Sequence, residues 1–220
     1  MTDGIIIVIA SSIAALLISI GWRRRRDVAE QQPWVASPEW SECRDEFRKS
    51  MGPLKRLALT EIGHSRRVES AFRASDGALI ITYVCETGFE RRRNSHRFFV
   101  AVCPLGVTMS RVVITREQWL LSAAQRPDLH LISVEKSTGK KDVNGHGDLR
   151  LASASPRDIS VRLSHGLLDW LHLQHVERSW EVVGLYAFGY QPATQKPEDA
   201  LELVKAVREL AHLIAVHNKT

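Results

Sequence analysis

The chain predicts an α+β domain hung from one membrane-spanning helix, and three observations lead there. Residues 4–22 hold no charged side chain and end against four consecutive arginines, Arg23 to Arg26. Between residues 66 and 154, apolar stretches of strand length alternate with turn-forming residues. Two longer segments, 155–176 and 197 onward, carry apolar residues at helical spacing. A mostly antiparallel sheet (a meander plus a late hairpin) packed with two longer helices follows. The division expected is an anchor over 1–22, a basic juxtamembrane segment and linker over 23–36, and a soluble domain over 37–220.

At about 1.5 Å per residue, a helix over 4–22 reaches roughly 28 Å, the hydrocarbon thickness of a bilayer. Ile5, Ile6, Ile7, Ile9, Leu16, Leu17, Ile18 and Ile20 make it apolar on every face, as lipid contact demands. Trp22 stands where interfacial aromatics belong, and the arginines after it can extend into anionic headgroups, each adding about 1 kcal/mol. A cleaved signal peptide would carry its positive charge first; here Asp3 precedes and the arginines follow. Basic residues stay on the cytoplasmic side, so Met1 to Asp3 face outward and everything from Arg23 is cytoplasmic, at a bacterial inner membrane. Ala10 with Ala14 and Ser11 with Ala15 are small-residue spacings, common in spans of this composition, that allow helix pairing and with it a homo-oligomer.

A net charge of +5 suggests nucleic acid until it is divided. Thirty Lys and Arg fall to 26 without the anchor arginines, and 25 acidic residues to 24 without Asp3, leaving +2. Nucleic acid is therefore not an expected partner. Cys43, Cys85 and Cys103 are too few and too scattered for a disulfide framework or a zinc site, and reduced thiols are expected.

Along the soluble part, Ser37-Pro38-Glu39 predicts a helix start, with Trp40, Cys43, Phe47 and Met51 as its buried stripe and Gly52-Pro53 as its end. A second short helix is expected over 54–59. Strands over 66–74 and 78–87 flank the turn Ser75-Asp76-Gly77. Residues 88–95 form a charged hairpin tip; strands over 96–104 and 107–114 follow, then a capping box at Thr115-Arg116-Glu117-Gln118 for a helix to about 125. Residues 129–135 and 149–154 read as strands around a glycine-rich loop at 137–148. A helix over 155–176 presents Ile159, Leu163, Leu167 and Trp170 on one face. Residues 180–185 and 187–190 make a last hairpin. The closing helix turns Ala200, Leu203, Val204, Val207, Leu210, Ala211 and Ile214 inward.

The stretch GALIITYVCET, the helix ending LLDWL before SWEVVG, and the amphipathic C-terminal helix resemble uncharacterised bacterial single-pass membrane proteins with an N-terminal span and a cytoplasmic α+β domain. The resemblance covers roughly residues 54 to 215 and implies architecture and location, with no assigned catalytic residue.

Two constellations carry chemistry. His165, Asp169 and His172 fall at i, i+4 and i+7, one helical face that could offer two imidazoles and a carboxylate to a metal; a solvated outer face has the same spacing. Arg91, Arg92, Arg93 and Arg97, with Phe89 and Phe98 beside them, put positive charge at the 89–97 tip, suited to anionic lipid or to blocking edge pairing. Gly139-Lys140-Lys141 lacks phosphate-loop spacing, His146 stands between two loop glycines, and adjacent Ser164 and His165 diverge by about 100° on a helix. No catalytic residue and no cofactor is expected. The function expected is a membrane-tethered interaction or scaffold domain with an unidentified protein partner. A lipid-sensing domain using the tip is the alternative, ahead of an enzyme with a site assembled from scattered residues.

Overall fold

A computed structural model of the protein describes residues 37–88, 93–117, 129–132, 149–155, 165–175, 177–193 and 196–217. The expected anchor and linker, the loop at 137–148 and most of the helix expected over 118–125 lie outside them, as do Arg91 and Arg92. Among the described residues no helix is long and apolar enough to cross a membrane.

The elements in order are β1 (Trp40–Glu42), α1 (Arg44–Ser50), two 3-10 turns (Gly52–Arg56 and Ala58–Glu61), β2 (His64–Ala74), β3 (Leu79–Thr87), β4 (Asn94–Thr115), β5 (His130–Ile132), β6 (Arg150–Ser153), α2 (His165–Leu173), β7 (Ser179–Pro192) and α3 (Pro197–His217). They form an α+β fold around one seven-stranded antiparallel sheet of order β1-β2-β3-β4-β6-β5, with β7 also on β4. The meander β2-β3-β4 is as expected. Its first turn is closed by Asp76 Oδ1, which accepts the Ala78 N–H at 3.1 Å, and by Gly77 at φ +84°.

Three expectations are corrected. Strands 96–104 and 107–114 are one strand, β4, and the late hairpin is also one strand, β7. The two pair from Phe98↔Pro192 to Ile114↔Trp180. Pro104, Leu105, Gly106 and Gly184 read locally as chain breaks, yet they form bulges. β4 spends three additional residues between Pro104 and Met109, then one between Met109 and Val112, while Gly184 turns at φ +60°. Unequal residue counts on paired strands bend the ribbon without ending it. β3 therefore flanks the first half of β4 and β6 the second, while β7 follows both.

The third correction concerns the start of the domain. Trp40 belongs to β1, paired Trp40↔Ala74 and Glu42↔Phe72, and the helix begins only at Arg44. The free edge of β2 offers carbonyls, and Cys43 N–H donates to Ala71 O at 2.9 Å before the chain coils. Cys43 and Phe47 are buried as expected; Met51 takes the left-handed conformation (φ 52°) and ends α1.

Period-two alternation loads both faces of the sheet. Phe72, Ile80, Phe99, Ala101, Val112, Ile114, Trp180 and Val182 face α2 and α3, where Leu167, Leu203, Val207 and Leu210 cover them. Ala71, Ile81, Tyr83, Val100, Val113, Phe188 and Tyr190 face α1 and the 3-10 turns, which bring Phe47, Leu54, Leu57 and Leu59. All seven residues expected on the inner arc of α3 are buried. The helix comes so close to β7 at Gly189 that an added Cβ would stand 2.6 Å from Val207 Cγ2 and 2.9 Å from Trp180 Cζ3.

Candidate functional site

Where β3 and β4 outrun the core on the 3-10 side, they leave a cleft of about 660 Å³. Ile62, Cys85, Thr87, Ser95, His96, Arg97, Phe98 and Pro192 line it. The pairings Cys85↔His96 and Thr87↔Asn94 continue the register of Tyr83↔Phe98 without a bulge. Cys85, Thr87, His96 and Phe98 therefore share the face of the second core, while Ser95 and Arg97 alternate to the other. Thr87 Oγ1 and His96 Nε2 hydrogen-bond at 2.7 Å at the mouth, and the floor is apolar. One wall is fastened: the Arg66 guanidinium donates to Glu61 O at 3.0 Å and to Gly63 O at 2.9 Å, clasping the segment that holds Ile62. Opposite, the His64 ring N–H donates to Gly88 O at 2.6 Å.

The titratable groups around the cleft are governed by desolvation. Burial pushes the Cys85 thiol and the Tyr83 phenol up, and the nearby positive charge of Arg66 only partly opposes this. Burial likewise raises Cys43 and Cys103. A raised thiol is the inert form, so none of the three cysteines is prepared as a nucleophile. All three are free, as expected.

The sheet face opposite the cleft bears a ladder of charges. Arg97 lies 2.8 Å from Glu69, which also meets Arg67 at 3.4 Å, and Arg67 reaches Glu86 at 3.8 Å. Arg97, expected at an anionic-lipid contact, is thus engaged by a carboxylate. Arg93 is exposed. Arg23, Arg24, Arg25, Arg26, Arg91 and Arg92 lie outside the described residues. Asp169 and His172 are exposed on α2, and the side chain of His165 lies outside the described ones. Among the described residues no cluster of three His, Cys, Asp or Glu side chains is placed to hold a metal.

Sequence reasoning missed a buried charge pair. Glu181 is fully buried; its Oε1 accepts from Arg111 Nε at 2.7 Å and its Oε2 from Ala58 N–H at 2.9 Å. The carboxylate thereby ties the second 3-10 turn to the β4–β7 ribbon. Tyr190 is buried beside the pair, and burial, then the Glu181 charge, hold its phenol well above the ordinary range. Among the described residues its hydroxyl has no hydrogen-bond partner of normal geometry, nor has Arg111 Nη2. The available signal was a single acid inside the apolar run of SWEVVG and a single arginine beside VVIT.

At the bend of the ribbon, Leu185 and Tyr186 are 51% and 38% exposed, and Tyr186 faces exposed Pro104 across the strands. Beside them is a depression of about 510 Å³ lined by Gly52, Lys55, Val183, Gly184, Leu185, Tyr186 and Phe188.

No protein-family model and no curated protein matches the chain. Among solved structures it is similar to the mycobacterial trehalose monomycolate transport factor A, TtfA, with a TM-score of 0.56, over 84% of this chain and 93% of that one. Sequence identity is 13%. The likeness is one of fold. It embraces the antiparallel sheet and its packed helices.

Proposed function

We propose that this chain is a membrane-tethered interaction module, without catalysis of its own, that holds a protein partner at the cytoplasmic face of a bacterial inner membrane. The observation that carries the reading is the apolar surface at the ribbon bend, where Leu185, Tyr186 and Pro104 stand exposed beside the 510 Å³ depression. Exposed large apolar side chains grouped around a concavity are the usual mark of a protein contact. The uncharged 4–22 stretch and the arginines after it supply the tether, and the Arg23 to Arg26 side chains meet anionic headgroups. Likeness of fold to a protein described as a transport factor supports a partner in transport.

A photo-crosslinking residue placed at Leu185 of the full-length, membrane-inserted chain tests this. The expected result is a discrete protein adduct that a residue at Glu209, exposed on α3, does not form, and that Tyr186→Asp abolishes. The same adducts from both positions would refute the assignment. A C-terminal reporter active only outside the inner membrane would refute the location.

A further inference from the structure

The geometry points to the 660 Å³ cleft beneath the β3–β4 hairpin as a binding site for one long-chain fatty-acid anion, its tail on Ile62, Cys85, Phe98 and Pro192 and its carboxylate toward His96 at the mouth and toward Arg66, which stands outside the lining and clasps the segment that holds Ile62. This stands apart from the partner surface, six residues away along β7 from Tyr186 to Pro192.

The lining carries the argument. Ligand clefts run from about 300 to 1,000 Å³, mostly apolar with a few placed polar groups, and this one fits on both counts. The floor is hydrocarbon and thiol, with Cys85 fully buried and Phe98 nearly so, which suits an alkyl chain and offers nothing to a sugar or a peptide backbone. Charge selects the head group. Arg66 donates from Nε and Nη2 to the carbonyls of Gly63 and Glu61, and no carboxylate among the described residues forms a salt bridge with it. Its positive charge is therefore held beside the cleft wall with no neutralising carboxylate among the described residues, and it acts on Cys85 and Tyr83 deeper in. Two other cations at this sheet end are countered, Arg97 by Glu69 and Arg67 by Glu69 and Glu86. The imidazole of His96, fixed by Thr87 at 2.7 Å, adds a polar group at the mouth. An anionic head with a single apolar tail satisfies both ends, whereas a neutral amphiphile leaves the Arg66 charge unused.

The test uses the full-length chain in lipid nanodiscs and a long-chain fatty acid bearing a diazirine near its terminal methyl. Irradiation and peptide mapping are expected to label the peptides holding Ile62, Cys85 and Phe98, with excess plain fatty acid competing. A diazirine fatty alcohol of equal length should label them at least about tenfold less, the effect of losing one charged hydrogen bond. Cys85→Trp, which fills the floor, and Thr87→Trp, on the half-buried rim and therefore little risk to the core, should each remove the label. Arg66→Gln should weaken labelling by the acid and leave that by the alcohol unchanged. Label confined to residues 4–22, label indifferent to both tryptophans, or equal labelling by acid and alcohol would each overturn the assignment. So would labelling by a diazirine phospholipid that fatty acid cannot displace.

Discussion

Removing the carboxylate of Glu181 tests the claim that one buried ion pair joins the two halves of the fold. In Glu181→Leu the Arg111 guanidinium keeps its place, with a side chain only 9% exposed, and loses the oxygen 2.7 Å from its Nε. Its Nη2 already lacks a partner among the described residues, which offer no second acceptor. Ala58 N–H loses its acceptor as well. An uncompensated buried charge of this kind costs about 3–5 kcal/mol. For a domain of this size each kcal/mol lowers Tm by about 2–4 °C, so a fall of roughly 6–20 °C is expected. The double variant Glu181→Leu with Arg111→Met removes both charges and should recover most of that loss, since apolar replacement of a whole buried pair ranges from neutral to stabilising. Thermal unfolding followed by tryptophan fluorescence reads the stability, Trp180 being fully buried next to the site. Amide exchange at Ala58 reads the junction itself and should quicken in Glu181→Leu more than at Ile81, in the middle of the sheet. A Tm within about 2 °C of the parent for Glu181→Leu, or a double variant as unstable as the sum of its singles, would refute the reasoning.

Gly189→Ala should cost about 1–3 kcal/mol by forcing α3 off β7, because the new methyl would meet Val207, Trp180 and Leu203; urea denaturation measures it, and an unchanged midpoint would show that α3 can shift freely. Asp76 is depressed in the fold: burial raises it, but the hydrogen bond from Arg208, the Ala78 N–H and the Arg208 charge together outweigh that. A depressed carboxylate contributes stability that is whole above its unfolded value, about 3.9, and lost as pH falls through the folded one. Asp76→Asn keeps an acceptor for Ala78 N–H, so its stability deficit should be constant at neutral pH, shrink on acidification below about pH 4 and fade in high salt; a deficit that grows on acidification contradicts the sign. Alkylation by iodoacetamide at neutral pH should be slow at all three cysteines, with half-buried Cys103 reacting before Cys43 and Cys85; fast modification of Cys85 would contradict its burial.

Local pattern alone was enough for the α+β class, the β2–β3 turn at Ser75-Asp76-Gly77 and seven inward residues of α3, though it passed over buried Ala206. Each depends on neighbours within a few positions: a positive φ at one glycine, or side chains repeating every 3.6 residues on one helix. The strand GALIITYVCET was legible for a related reason, since apolar residues at successive positions mark a sheet covered on both faces. The continuity of β4 and β7 was not legible. Pro104 and Gly184 carry the same local signals whether they end a strand or bulge it, and only the partner strand decides. The helix start expected at Ser37 yielded to β1 because the unpaired edge of β2 lies more than 30 residues away in sequence. The candidate cleft was not legible, because Ile62, Phe98 and Pro192 meet only through the antiparallel register.

Thus the chain's own periodicities were sufficient for its α+β class, the inner arc of α3 and the uncharged stretch at its head, because those properties need nothing beyond side-chain spacing. Packing in three dimensions determined the bend of the ribbon, the Glu181–Arg111 tie across 70 residues and the walls of the cleft. Strand register is a choice among long-range pairings, and each is decided by the total burial and hydrogen bonding it permits.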